Sequence, residues 1–161
     1  MSAIVHYPGE TATLSYGFGV TLPVGYETAV RLARTALGQE GFGIVSEVDL
    51  ARTLREKLGA EIPPYLLLGV CNPALAHQAL TTDPDIGLLL PCTVAVREAP
   101  EHARTHLVAL DPIAALGLTG NRDLEPLAND VRARLERAIT RAAEDALALR
   151  QQGGAEAEEI C

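Results

Sequence analysis

Hydrophobic and polar residues change period several times along this chain, and each change marks an element. From Ser15 to Leu22, Tyr16, Phe18, Val20 and Leu22 alternate with Ser15, Gly17, Gly19 and Thr21, the period of a half-buried strand. The glycines fall on the other face, where a second backbone or a ligand can approach closely. The GFG within this run is no dinucleotide fingerprint, because it lies inside a strand and not at a strand-to-helix turn. Between Tyr26 and Gln39 the period becomes helical: Tyr26, Ala29, Val30, Ala33, Ala36 and Leu37 share a face, and Glu27, Arg31, Arg34 and Thr35 lie away from it. Gly41 is a stop signal, and Phe42 to Val48 reads as the next strand.

Asp49 is a good N-cap for a short helix, Leu50 to Leu58, whose apolar side is Leu50, Leu54 and Leu58 and which Gly59 ends. Pro63 and Pro64 precede a buried strand, Tyr65 to Val70. Asn72 and Pro73 are a cap and a first-turn proline, so a helix should run from Pro73 to about Leu80. Thr81 to Asp85 reads as a loop, and Leu88 to Glu98 as a strand interrupted or started by Pro91. The link Ala99 to Arg104 suits a hairpin to a partner strand, Thr105 to Leu110. Asp111-Pro112 breaks that strand, and Ile113 to Gly120 reads as a loop or one loose turn. Leu127, Val131, Leu135, Ala138, Ile139, Ala142 and Ala146 then keep helical spacing from about Leu124 to Arg150. The expected organisation is a single α+β domain over residues 1–150 and a Gly-, Ala- and Glu-rich disordered tail over 151–161.

Composition narrows the function classes. The chain has 161 residues, 48% of them hydrophobic, but only 4% aromatic, so Leu, Val, Ile and Ala must fill the core. A net charge of −8 without a basic stripe argues against a nucleic-acid partner. The longest apolar run, Tyr65 to Cys71, is too short to span a bilayer, and Met1 to Gly9 has no secretory pattern. Three cysteines make no closed disulfide framework, so a reduced, cytoplasmic protein is expected, with Cys161 an exposed tail thiol.

The stretch CNPALAHQALTTDPDIGLLLPC, from Cys71 to Cys92, concentrates the candidate chemistry. Cys71 precedes a helix start, whose free N–H groups and dipole favour a thiolate. His77 lies on the helix between the thiols and leans towards its N-terminus. Three readings stand side by side. Cys71, Cys92 and His77 would suit Cu(I) or Zn²⁺, which prefer thiolate and imidazole, although the spacing is no standard zinc motif. Cys71 would suit a redox or sulfur-carrying thiol with Cys92 as its resolving partner. Both cysteines also suit plain core packing beside apolar strands.

Lys57, in the last turn of its helix, complements the dipole and is a second candidate, for an anionic ligand. Glu47 and Asp49 form a possible cation pair, but strand exposure and capping already explain them. His102 and His106 are isolated, and His106 suits a cross-strand partner. No phosphate loop, HExxH motif or nucleophile–base–orienter set is present, which disfavours a conventional hydrolase or kinase.

The segments GFGIVSEVDLARTLREKLG, PPYLLLGVCNPALAHQAL and GLLLPCTVAV together resemble domain-of-unknown-function family 302 over roughly Tyr16 to Ala143. The most specific pieces are Glu56-Lys57-Leu58-Gly59, Cys71-Asn72-Pro73, Ala76-His77 and Leu90-Pro91-Cys92. The resemblance implies a two-layer α+β fold, an antiparallel sheet packed on one side by helices, and a homodimer. It implies no catalytic residue. The sequence therefore reads as a small homodimeric binding or sensing module, binding a small molecule or metal through Cys71, His77, Cys92 or Lys57. A thiol-redox or sulfur-transfer protein using Cys71 is the enzyme alternative, and a structural dimer with a partner surface near Gly17 and Gly19 is the third.

Overall fold

The computed structural model describes residues 14–101 and 103–159, the last six as backbone only. Among the described residues there are five strands: β1 Gly17–Leu22, β2 Gly43–Asp49, β3 Tyr65–Cys71, β4 Cys92–Glu98 and β5 Thr105–Leu110. They pair antiparallel throughout in the order β1-β5-β4-β3-β2. The helices are α1 Tyr26–Gln39, α2 Leu50–Leu58, α3 Pro73–Thr82, α4 Pro112–Gly117 and α5 Glu125–Glu159.

One face of the sheet carries Leu22, Leu68, Val70, Val94, Val96 and Leu107, all buried, as the two-residue period of each strand dictates. Helices α1 and α5 cover that face. Ala29, Leu32, Ala33, Ala36 and Leu37 of α1 and Leu135, Ala138, Ile139, Ala142 and Ala146 of α5 join the same apolar cluster. The alanines let both helices lie close to the sheet. A second, smaller cluster joins Ala79 of α3, Ile86, Leu116 of α4, and Leu124, Leu127 and Ala128 around the start of α5. The fold is thus a two-layer α+β arrangement with helices on one side of an antiparallel sheet, as expected.

Asp111 ties three parts of this frame together. Its side chain accepts from the Ile113 N–H at 2.9 Å, capping α4, and pairs with the Arg132 guanidinium of α5. Its backbone N–H donates to the Tyr16 carbonyl at 2.8 Å. Arg132 also holds Glu136 at 2.8 Å and lies over the Phe18 ring, 5.0 Å from its centroid.

Several boundaries differ from the sequence reading. Helix α3 takes Thr81 and Thr82 of the expected loop, and a 3-10 turn, Pro84–Leu89, takes its last two residues and the first two of the expected strand. Asp83 starts that turn by accepting from the Asp85 N–H at 3.0 Å. β4 therefore starts at Cys92, after a cis Leu90–Pro91 peptide. The expected loose turn after Asp111 is α4, built on the same cap-and-proline device as α3. The final helix extends to Glu159, beyond the expected end near Arg150.

Glycines separate close approach from open space. A Cβ at Gly19 would overlap the Leu107 carbonyl oxygen and lie 2.7 Å from Val108 Cα, whereas one at Gly38, in the last turn of α1, would meet nothing within 4 Å. Gly19→Ala is expected to destabilise by about 3 kcal/mol, because the neighbouring backbone must move. Gly38→Ala should stabilise by about 0.5–1 kcal/mol through helix propensity. Urea unfolding of the two variants checks the opposite signs; equal effects would contradict the strand spacing.

Candidate functional site

The two cysteines reach one place by different routes. Tyr65–Cys71 ends where Asn72 turns the chain into α3; the Asn72 side chain accepts from the Leu75 N–H at 3.2 Å, and its carbonyl from the Ala76 N–H at 2.9 Å. Cys92 opens β4, with its Cα opposite that of Val70. The pleat ordinarily sends neighbours such as Val70 and Cys71 to opposite faces. Cys71 is the last residue of its strand, however, and both cysteines line one cavity of about 40 Å³ beneath α3.

The cavity lies at the seam between the two apolar clusters. Phe42, Val70 and Val131 wall it from the first, and Ala79, Leu116 and Leu127 from the second. Leu75, Leu89 and Leu90 complete much of the rest. Its volume holds about one water molecule or one heavy atom attached to sulfur. Both thiols are free and half-buried. Burial pushes the Cys92 thiol up to about 11, and the nearby Cys71 adds to the shift.

The other candidates lie elsewhere. His77 is on the exposed side of α3 and Lys57 is exposed in the last turn of α2; neither lines the cavity. Among the described residues, no group of three or more His, Cys, Asp or Glu converges as a metal site. A metal reading therefore rests on two sulfurs, which suit two-coordinate Cu(I) better than tetrahedral Zn²⁺. At the helix start Pro73 has no N–H, and those of Leu75 and Ala76 are taken by Asn72.

The remaining polar candidates have structural partners. Glu47 pairs with Arg34, which holds its carboxyl below the usual range, and Asp49 caps α2 through the Arg52 N–H at 2.9 Å. His106 Nδ1 lies 2.8 Å from Thr21 Oγ1, the cross-strand neighbour that its alternation predicts. His102 and Cys161 lie outside the described residues. The apolar wall of the cavity, especially Phe42, Leu75 and Leu90, was not singled out in the sequence.

Comparison with known proteins agrees with this architecture. The family model for the domain of unknown function DUF302 matches residues 18–142. A crystal structure of an uncharacterised conserved DUF302 protein from Bacillus stearothermophilus is similar, with a TM-score of 0.74 and 26% identity, covering 80% of this chain and 99% of that one. No curated protein matches the chain. With the match running from β1 into α5, through both cysteines and the sheet that carries them, the chain belongs to the DUF302 family.

Proposed function

We propose that this protein is a small homodimeric binding or sensing module whose site is the cavity walled by Cys71 and Cys92. The carrying observation is that two free cysteines from different strands line the same small apolar space. His77 does not line that space, which favours capture or sensing at sulfur over acid–base catalysis. Thiol sensing of this kind belongs in a reducing compartment, where both sulfurs start as free thiols.

The dimer part of the reading draws on the opposite face of the sheet. Tyr16, Tyr65, Leu67, Ala95, Arg97 and Val108 line an open groove of about 360 Å³ there. Apolar groups gathered on an open sheet face are the kind of surface that a second copy covers. No helix among the described residues is long and apolar enough to cross a membrane.

Three outcomes test these statements. Native protein treated with iodoacetamide at neutral pH should be labelled at Cys71 at least tenfold faster than at Cys92, read by peptide mass mapping; an inert Cys71 would remove the binding reading. Leu67→Arg should halve the mass measured by light scattering, and an unchanged mass would remove this face as the dimer contact. The third outcome follows from linkage. Cys92 moves from an ordinary 9.0 to about 11 on folding, so its neutral form is favoured in the folded state. That stabilisation is complete below pH 9 and is lost as pH rises towards 11, amounting to about 2–3 kcal/mol. Denaturant titrations should show this loss in the native sequence and not in Cys92→Ala.

A further inference from the structure

We infer that Cys71 and Cys92 form a reversible dithiol–disulfide couple, in which Cys71 takes up half of a small-molecule disulfide and Cys92 resolves the adduct. The inference rests on the cavity reading above and adds a co-reactant and an order of events. Val70 and Cys92 are opposite partners, so Cys71 is one residue off register from Cys92 on the adjacent strand. A step of about 3.4 Å along the strand and 5 Å across it gives a Cα separation of roughly 6 Å, within the range a disulfide spans. Both cysteines line the one cavity, and the charge of Cys71 is felt at the Cys92 thiol, so the two side chains are near enough to influence each other.

The surroundings divide the labour. Cys71 sits at a strand end where the chain turns, whereas Cys92 lies in the sheet face opposite Val70 with its thiol raised by burial. Attack requires a thiolate, so Cys92 is a poor first nucleophile at neutral pH. In the first step the Cys71 thiolate attacks one sulfur of the small disulfide. A Cys71–S–S–R bond forms with R outside the small cavity, on the part-exposed side of Cys71; the R–S–S–R bond breaks, and R–S⁻ leaves and takes a proton from water. In the second step the Cys92 proton passes to water and its sulfur attacks the Cys71 sulfur. The Cys71–Cys92 bond forms as a second R–S⁻ departs. Two protein thiols are oxidised and one small disulfide is reduced to two thiols.

Resolution is then the slow, pH-dependent step. Forming the adduct removes the charge at Cys71, but burial, the larger cause, still holds Cys92 above its ordinary value. Among the described residues, Cys71 is the only other titratable one lining the cavity and Asn72 the only other polar one, so none of them brings a further charge to offset that burial.

The test uses reduced full-length protein carrying Cys161→Ser, incubated with glutathione disulfide between pH 6 and 9, acid-quenched and weighed by mass spectrometry. Expected are a single glutathione adduct at Cys71 and then its conversion to the internal disulfide. The conversion should accelerate about tenfold per pH unit. Cys92→Ser should stop at the adduct and Cys71→Ser should form none; should either fail to fold, the two-step course of the parent protein decides alone. A first adduct at Cys92, or an adduct at Cys71 that never closes at any pH, overturns the couple. In the latter case iodoacetamide labelling of Cys71 still stands, so loss of the couple and loss of the binding site are told apart.

Discussion

The register between β3 and β4 is the constraint on which the candidate site depends. Leu66, Leu68 and Val70 of β3 face the helices together with their partners Val96, Val94 and Cys92 of β4. A slip of one residue would turn every one of these side chains to the other face of the sheet. The buried apolar area beneath α1 and α5 therefore holds the register, and the register holds Cys92 opposite Val70. Two glycines permit the same sheet to close up. A Cβ at Gly69 would lie 2.7 Å from the Pro91 ring and overlap the Ser46 hydroxyl, so the residue before Cys92 packs where β3 has no side chain. Position of the thiols is thus a property of the core and not of a local motif.

Much of this was legible in the chain. Tyr26–Gln39, Leu50–Leu58 with its Asp49 cap and αL Gly59, and the hairpin ending in Thr105–Leu110 match their patterns because period and punctuation agree there. Asn72-Pro73 reads as a helix start, and the same cap-and-proline device stands at Asp83-Pro84 and Asp111-Pro112. Those elements are too short for periodicity to mark them, and only the cap chemistry gives them away. Leu88 and Leu89 looked like strand residues because a short apolar run carries no period of its own; the 3-10 turn places Leu89 against the second cluster instead.

The site was legible in part. Its two cysteines stand out in the sequence, and His77, on the intervening helix, reads there as leaning towards them. A helix presents successive residues about 100° apart, and α3 spends its inward positions on Leu75 and Ala79, which leaves His77 facing outward. Cys71 and Cys92 come together through a strand end and a strand pairing separated by a helix and a 3-10 turn, a relation that linear spacing cannot express. The result is an apolar seam lined by two half-buried cysteines, with the Cys92 thiol raised by burial on the sheet side. Such a place suits capture at sulfur better than acid–base turnover.

The central claim is that both thiols share one space beneath α3, and nuclear Overhauser contacts in the reduced protein test it most directly. The account predicts cross-peaks from the β-protons of both Cys71 and Cys92 to the methyl groups of Leu75 and Leu90, which wall the same cavity. Contacts from Cys71 only to residues on the opposite face of the sheet, such as Ser46, would contradict it.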